Sequence, residues 1–126
     1  MKHTLIACGI LILVLAFCIF SMTFIRSSAA KTLDALTVSY ECARKQDCSS
    51  AAAALSRAEQ TWKKREDFFS AVLAHDEVDQ VATDLAQLRE YIRIRDMDDY
   101  LATAASLMET IRHMRQVELP FYYNIL

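Results

Sequence analysis

The sequence predicts an all-α fold, in which one transmembrane helix is followed by a four-helix bundle of two helical hairpins. The first observation behind this prediction is that the 126 residues include a single glycine, Gly9, and a single proline, Pro120. The tight turns of a β-sheet use glycine at positions of positive φ, so a many-stranded sheet is hard to build between these two residues. The second observation is that apolar residues recur at intervals of three and four, as they do on one face of a helix. The strict alternation typical of half-buried strands occurs nowhere.

The composition excludes several classes of function. From Arg26 onward, 13 basic and 16 acidic residues give a net charge of about −3. The two signs are interspersed, whereas a nucleic-acid-binding domain carries a basic surface. Phosphate-cradling loops, dinucleotide-binding fingerprints and nucleophile elbows all require glycine at fixed positions. We therefore predict no enzyme activity, no catalytic residue and no cofactor.

The first element is an apolar segment over residues 4–25, which contains no charged side chain. As a helix it would be about 33 Å long, enough to cross the ~30 Å hydrocarbon core of a bilayer. The sequence around Ala30 resembles the cleavage site of an export signal, but the segment is longer than the ~7–15 apolar residues of an ordinary signal peptide. An uncleaved transmembrane anchor is therefore favoured over a signal that is removed after Ala30.

The cysteines of this segment bear on lipid attachment, and the charges on either side of it bear on its orientation in the membrane. Cys8 follows too few residues for a lipidation signal and Cys18 follows a bulky phenylalanine, so both are predicted to be apolar helix residues. The positive charges of the amino terminus and Lys2 on one side nearly balance those of Arg26 and Lys31 on the other. Because a short segment before a signal anchor usually stays inside, we expect a single-pass protein of the cell membrane whose C-terminal domain is extracytoplasmic.

Four amphipathic helices are predicted after the anchor, over residues 31–45, 49–74, 76–95 and 97–117. Residues 1–30 then comprise the anchor and a juxtamembrane joint, and residues 119–126 form an apolar tail. The apolar stripes that define the helices include Leu33, Leu36 and Tyr40; Ala51, Leu55, Ala58 and Trp62; Val78, Val81, Leu85 and Leu88; Tyr100, Ala104 and Leu107. Each stripe fits one face of a helix.

The boundaries between these helices carry helix-start signals. Asp47, Ser49 or Ser50 could cap the second helix. Asp96, Asp98 and Asp99 lie at the start of the fourth helix, where negative charge is favourable. Asp76 with Asp79 three residues later approximates a capping box, although the usual partner is Glu or Gln. No helix breaker lies between residues 25 and 33, so the anchor could continue into the first helix. The serine pair there slightly favours a bend.

A weak internal repeat has an offset of 49 residues. It pairs equivalent points of two helix–loop–helix units, namely Leu36 with Leu85, Glu41 with Glu90, Arg44 with Arg93, Asp47 with Asp96, Ala53 with Ala102, and Thr61 with Thr110. Two hairpins cannot bury their faces as a solenoid of three or more repeats can. A closed four-helix bundle is therefore the predicted arrangement.

Cys42 and Cys48 flank the first predicted loop. In an extracytoplasmic domain they could form a disulfide that contributes about 2 kcal/mol. The alternative is two free thiols packed at a helix junction. Their spacing is not that of a redox-active CxxC motif.

His75 and Asp79 are the candidate metal ligands, because their i, i+4 spacing could place them on one helical face. Helix-start chemistry is the favoured interpretation of this acidic stretch, since no second histidine cluster is near in sequence. We therefore predict no metal site, with these two residues as the weak candidates.

Two further segments could contact a membrane or a partner. Lys63, Lys64 and Arg65 point in three directions on a helix, which predicts a solvated surface, with lipid headgroups as the alternative. Trp62 is predicted to lie in the core. The tail over residues 119–126 is predicted to fold back on the bundle, with a bilayer or partner contact as the alternative.

Several short motifs together resemble a known family. They are "KHTLI" before the anchor, Trp62-Lys63-Lys64 in mid-helix, "HDEVDQV" at the start of the third helix and the terminal "NIL". The sequence resembles domain-of-unknown-function family 4363, small single-pass membrane proteins of Gram-positive bacteria. The resemblance covers essentially the whole chain, but it implies no activity and no functional residue. Cys48 departs from the pattern, in which an aromatic residue is expected after the loop aspartate.

The sequence is compatible with two functions. The favoured one is a non-enzymatic extracytoplasmic protein-interaction module, anchored in the lipid bilayer through residues 4–25 and binding an unidentified protein partner. The alternative is a sensor domain for a small ligand or metal on the same anchor. No nucleic acid partner is expected.

Overall fold

The computed structural model describes residues 1–72 and 75–116. Within these ranges the chain forms four α-helices and no strand. The helices are α1, Lys2–Arg44; α2, Cys48–Val72; α3, His75–Arg93; and α4, Met97–Gln116. The all-α prediction is confirmed for this part of the chain. The predicted tail, residues 119–126, lies outside the described residues.

Helix α1 is continuous over 43 residues and about 65 Å long. Residues 1–20 are exposed along their whole length, whereas the helix is buried on one face from Ser21 onward. The bend favoured for residues 26–31 is wrong, because the helix passes through this stretch without interruption. Ser28 and Ala29 are buried there, and the Thr32 hydroxyl donates to the Ser28 carbonyl at 3.0 Å. Serine side chains can bond to their own backbone and so interrupt a helix. Packing on one face therefore keeps residues 26–31 helical.

The four helices form a closed bundle with up-down-up-down topology. Helix α1 packs against α2 and α4, and α3 packs against the same two helices. The loops between α1 and α2 and between α3 and α4 are three residues long, so each hairpin is antiparallel. The largest fully buried side chains come from all four helices: Ile25, Leu36, Phe69, Val78, Val81, Leu88, Tyr100, Leu107 and Ile111.

The two hairpin loops have the same conformation. Each contains one residue with positive φ, Gln46 at 61° and Arg95 at 59°. An aspartate follows in each case, and its carboxylate accepts a hydrogen bond from the backbone N–H three residues later, at 3.1 Å for Asp47 and 3.2 Å for Asp96. These bonds satisfy N–H groups that have no partner within the helix, so both aspartates act as N-caps.

Equivalent contacts relate the two hairpins to each other. The N–H of Asp47 and the N–H of Asp96 each donate to the carbonyl five residues earlier, both at 2.9 Å. Cys48 and Met97, which are also 49 residues apart, have sulfur atoms in contact at 3.9 Å. The two loops thus meet at equivalent positions of the repeat. The repeat found at this offset in the sequence therefore corresponds to equivalent loops in the structure.

Candidate functional site

The bundle has a cluster of aromatic and basic side chains at the end where the exposed part of α1 stops. The Phe20 and Phe24 rings of α1 lie 6.0 Å apart between centroids, at an interplanar angle of 22°. Phe68 of α2 meets Phe24 edge-on at 4.8 Å and 74°. The guanidinium carbon of Arg65 lies 4.3 Å from the centroid of the Phe24 ring. We call these four side chains the base cluster.

The base cluster follows from the geometry of the first hairpin. Ser39 of α1 is bonded to Ala51 of α2, so residues whose numbers sum to about 90 face each other across the hairpin. This register places Arg65 and Phe68 opposite Phe24. Arg65 stacks on the aromatic face, which is an attractive arrangement for a cation and a π-system. The sequence predicts a solvated surface for Arg65 and gives no role to Phe24. Pairing residues outward from the Asp47 loop is the signal that brings the two together.

A buried hydrogen-bond cluster lies in the middle of the bundle. The Ser39 hydroxyl donates to the Ala51 carbonyl at 2.8 Å and also contacts the Tyr100 hydroxyl. Because the serine proton is used on the carbonyl, the tyrosine is the donor in the second bond. Burial raises the pKa of Tyr100 above its ordinary value of 10.0. The cluster connects α1, α2 and α4 within the core.

Further polar side chains of α1 face the core. Ser21, Ser28 and Thr32 are buried, together with Ser39. The Ser21 hydroxyl and the indole Nε1–H of Trp62 have no hydrogen-bond partner among the described residues. Trp62 lies in the core, as predicted, and stacks on Phe69 with ring centroids 4.6 Å apart.

The predicted cysteine pair is present as two free thiols. Cys42 and Cys48 are both half-buried, and the Cys48 thiol is directed at the Met97 sulfur. Cys42 packs against the edge of the core. The disulfide stays a prediction, and thiol labelling of both residues without a reductant tests it.

The candidate metal ligands lie at the start of α3. His75 is its first residue and Asp79 is one turn further on, and both are exposed. Within residues 1–72 and 75–116, no group of three His, Cys, Asp or Glu side chains could hold a metal ion. Asp76 and Glu77 occupy the first turn of α3, where negative charge is favourable.

The shifted pKa values of the charged groups belong to surface contacts. Hydrogen bonds with Ser50 lower the pKa of Asp47. The hydrogen bond with Arg93 lowers the pKa of Glu90 and raises that of the arginine. The negative charge of Asp96 raises the pKa of Asp99. These shifts are explained by a helix cap, an exposed ion pair and the repulsion between two neighbouring carboxylates.

These features define a class of protein, a four-helix bundle that includes the second half of a long helix whose first half is exposed and apolar. Among the described residues, α1 is the one helix that is long and apolar enough to cross a membrane, judged by length and composition. A family model described as "Domain of unknown function (DUF4363)" matches residues 19–125. The chain belongs to this family, as its motifs suggested. No curated protein and no solved structure matches the chain.

The matched range coincides with the bundle. It begins at residue 19, two residues before Ser21, where α1 first becomes buried. The family model therefore covers the packed helices. Most of the exposed part of α1 lies before the first matched residue.

Proposed function

We propose that the chain is a membrane-anchored, non-enzymatic helical module that binds a protein partner outside the cell. The observation that carries this proposal is the division of α1 into two environments. Residues 1–20 are exposed and largely apolar, while the same helix is buried in the bundle from Ser21 onward. An exposed apolar surface of this size is unfavourable in water and is usually covered. A bilayer would cover all sides of the helix at once.

The continuity of α1 supports a docking role. A helix of 43 residues carries the membrane segment and one quarter of the bundle with no flexible joint between them. The height of the bundle above the bilayer is then set by α1. A partner that binds the outer surface of the bundle would be held at a defined distance from the membrane.

The titration behaviour of the bundle supports a non-enzymatic role. Catalytic groups often have pKa values displaced by burial and by neighbouring charges in a cleft. In the part of the chain that the structure describes, the displaced groups are the N-cap Asp47, the exposed pair of Glu90 and Arg93, Asp99 beside the charge of Asp96, and the core hydroxyl of Tyr100. Each of them has a structural role.

Membrane extraction tests the anchoring part of the proposal. The full chain should stay in the membrane pellet after alkaline carbonate washing and should be released by detergent. A variant that lacks residues 2–20 keeps the packed part of α1 and should be recovered in the soluble fraction. Release of the full chain by carbonate alone would contradict the proposal.

Site-specific photo-crosslinking in intact cells tests the docking part. Val38 and Ile94 are large apolar residues of the bundle that are 47% and 55% exposed, so they are suitable positions for a photoreactive residue. Ser56, exposed on α2, is the matched control. We expect a discrete protein adduct from at least one apolar position and none from Ser56. Identical products from all three positions would indicate random collision and contradict a docking surface.

Labelling with a membrane-impermeant thiol reagent tests the orientation. In a variant with alanine at all four native cysteines, Ser56→Cys should be labelled on intact cells. The same variant should be labelled equally after lysis. Labelling only after lysis would place the bundle in the cytoplasm.

A further inference from the structure

The bundle begins where the exposed part of α1 ends. Residues 4–20, the exposed part of α1 without charged side chains, rise about 25 Å, close to the ~30 Å thickness of the hydrocarbon core of a bilayer. Ser21 is the next residue and is already buried in the bundle. If α1 spans the bilayer as proposed above, no stalk separates the two parts. The end of the bundle that carries the base cluster then rests on the membrane surface.

The base cluster has the composition of a membrane-interface contact. Its three phenylalanines lie at the height where aromatic side chains are enriched at the edge of the hydrocarbon region. Arg65 lays its guanidinium on Phe24, 4.3 Å from the ring centroid, and so combines an apolar contact with an exposed positive charge. Such a side chain can keep its stem in the interface and its charge among phosphate groups.

One more basic residue lies beside the base cluster. Lys64 is four residues before Phe68 on α2, so the two side chains lie on the same helical face, and Lys64 is exposed. The ion pairs among the described residues use other arginines, namely Arg44, Arg89, Arg93 and Arg112.

Carboxylates also lie at this end of the bundle, Glu66 and Asp67 on α2 and Asp76 and Glu77 in the first turn of α3. Among the described residues none of them forms an ion pair with Arg65. The exposed guanidinium of Arg65 can therefore contact an anion.

From these observations we propose that the base cluster, with Lys64, binds the phosphate groups of an anionic phospholipid surface. This rests on the proposed function, since α1 must span the bilayer for the cluster to reach the headgroups. The contact would fix the tilt of the bundle on the membrane. Arg65 is the central residue, because it alone joins the aromatic side chains and the basic ones.

The test uses the full chain in lipid nanodiscs of two compositions, phosphatidylcholine alone and phosphatidylcholine mixed with phosphatidylglycerol. Thermal unfolding is followed by far-ultraviolet circular dichroism. We expect the anionic lipid to raise the unfolding midpoint by roughly 4 °C for each basic group in contact, and high salt to abolish the increase. The quantity compared between variants is the difference between the two lipid compositions, so a general loss of stability in a variant does not affect the comparison.

Three substitutions make the test specific. Arg65→Ala should reduce the lipid-dependent difference, and Arg65→Lys should retain most of it because the charge remains. Arg57→Ala is the matched control, since Arg57 is exposed on the same helix about 12 Å further from the base cluster. Its lipid response should equal that of the unsubstituted chain. If Arg65→Ala fails to fold, Lys64→Ala replaces it and should also reduce the difference.

The results that would contradict lipid binding differ from the result that would contradict membrane anchoring. An unchanged lipid response in both Arg65→Ala and Lys64→Ala, or no response in the unsubstituted chain, would overturn the proposal. Inorganic phosphate added to phosphatidylcholine discs should have no effect, and an equal stabilisation by phosphate would also overturn it. Loss of the chain from the membrane in carbonate would instead refute the anchoring itself, and that result is obtained separately.

Discussion

The hydroxyl groups of Ser39 and Tyr100, 61 residues apart in sequence, meet inside the core of the bundle. Ser39 also donates to the Ala51 carbonyl at 2.8 Å, and both side chains are almost completely buried. Polar groups in such surroundings cost free energy unless they are bonded, so this pair favours the one arrangement of α1, α2 and α4 that satisfies both.

Substitutions in this pair should have unequal effects on stability. Ser39→Ala leaves the Tyr100 hydroxyl buried without its partner and should lower the free energy of unfolding by about 1–3 kcal/mol. Tyr100→Phe removes the hydroxyl itself while Ser39 keeps its bond to Ala51, so the expected loss is about 1 kcal/mol. Denaturant unfolding in detergent micelles measures both. Ser56→Ala, at an exposed position, should change the value by less than about 0.5 kcal/mol. A larger loss for the phenylalanine variant than for the serine variant would show that the pair does not act as described.

Alkaline pH should destabilise the bundle through Tyr100. Its pKa is raised in the folded state above the ordinary 10.0, so the unfolded chain loses this proton first. The stabilisation from keeping the hydroxyl protonated is complete below pH 10 and declines as the pH rises from there through the higher folded pKa. We expect the free energy of unfolding to fall above pH 10. Tyr100→Phe should show a shallower decline, and equal slopes for the two proteins would exclude Tyr100 as the cause.

The parts of the structure that the sequence predicts well depend on local or periodic signals. The apolar stripe through Leu55, Ala58 and Trp62 gives the buried face of α2, because helix periodicity and burial follow directly from side-chain character. Asp47 and Asp96 were identified as helix-start residues because capping involves only the next three positions. The offset of 49 residues was visible because equivalent loops require similar residues.

The features that the sequence does not predict depend on contacts between residues far apart in the chain, or on small differences in free energy between a helix and a joint. Residues 26–31 contain no breaker, and the decision between helix and joint was made by burial of Ser28 and Ala29 against other helices. The Arg65–Phe24 stack and the Ser39–Tyr100 pair join residues 41 and 61 positions apart. Periodicity within one helix carries no information on these pairings, although the short hairpin loop fixes the register of the first.

The two N-caps should differ in strength despite their equivalent geometry. Asp47→Ala should lower the free energy of unfolding by about 0.5–2 kcal/mol, the usual cost of losing a cap. Asp96→Ala should cost less, because the negative charge of Asp96 raises the pKa of Asp99 and its removal relieves that repulsion. The two variants are compared by denaturant unfolding at neutral pH. At a pH low enough to protonate the carboxylates, the difference between them should disappear. An equal or greater loss for Asp96→Ala at neutral pH would mean that the repulsion is negligible.

Proline substitution at Ser27 tests whether α1 is one helix through the predicted joint. Ser27 is exposed, so the side chain itself contributes little to packing. Proline there would remove one hydrogen bond of the helix and place its ring against the carbonyl four residues earlier, at a cost of about 3 kcal/mol or more. Ser27→Ala is the matched control and should be neutral or slightly stabilising, because alanine is the better helix former. Thermal unfolding of both variants in nanodiscs measures the difference. A flexible joint at residues 26–31 would accept the proline as readily as the alanine, and equal midpoints would therefore contradict a continuous α1.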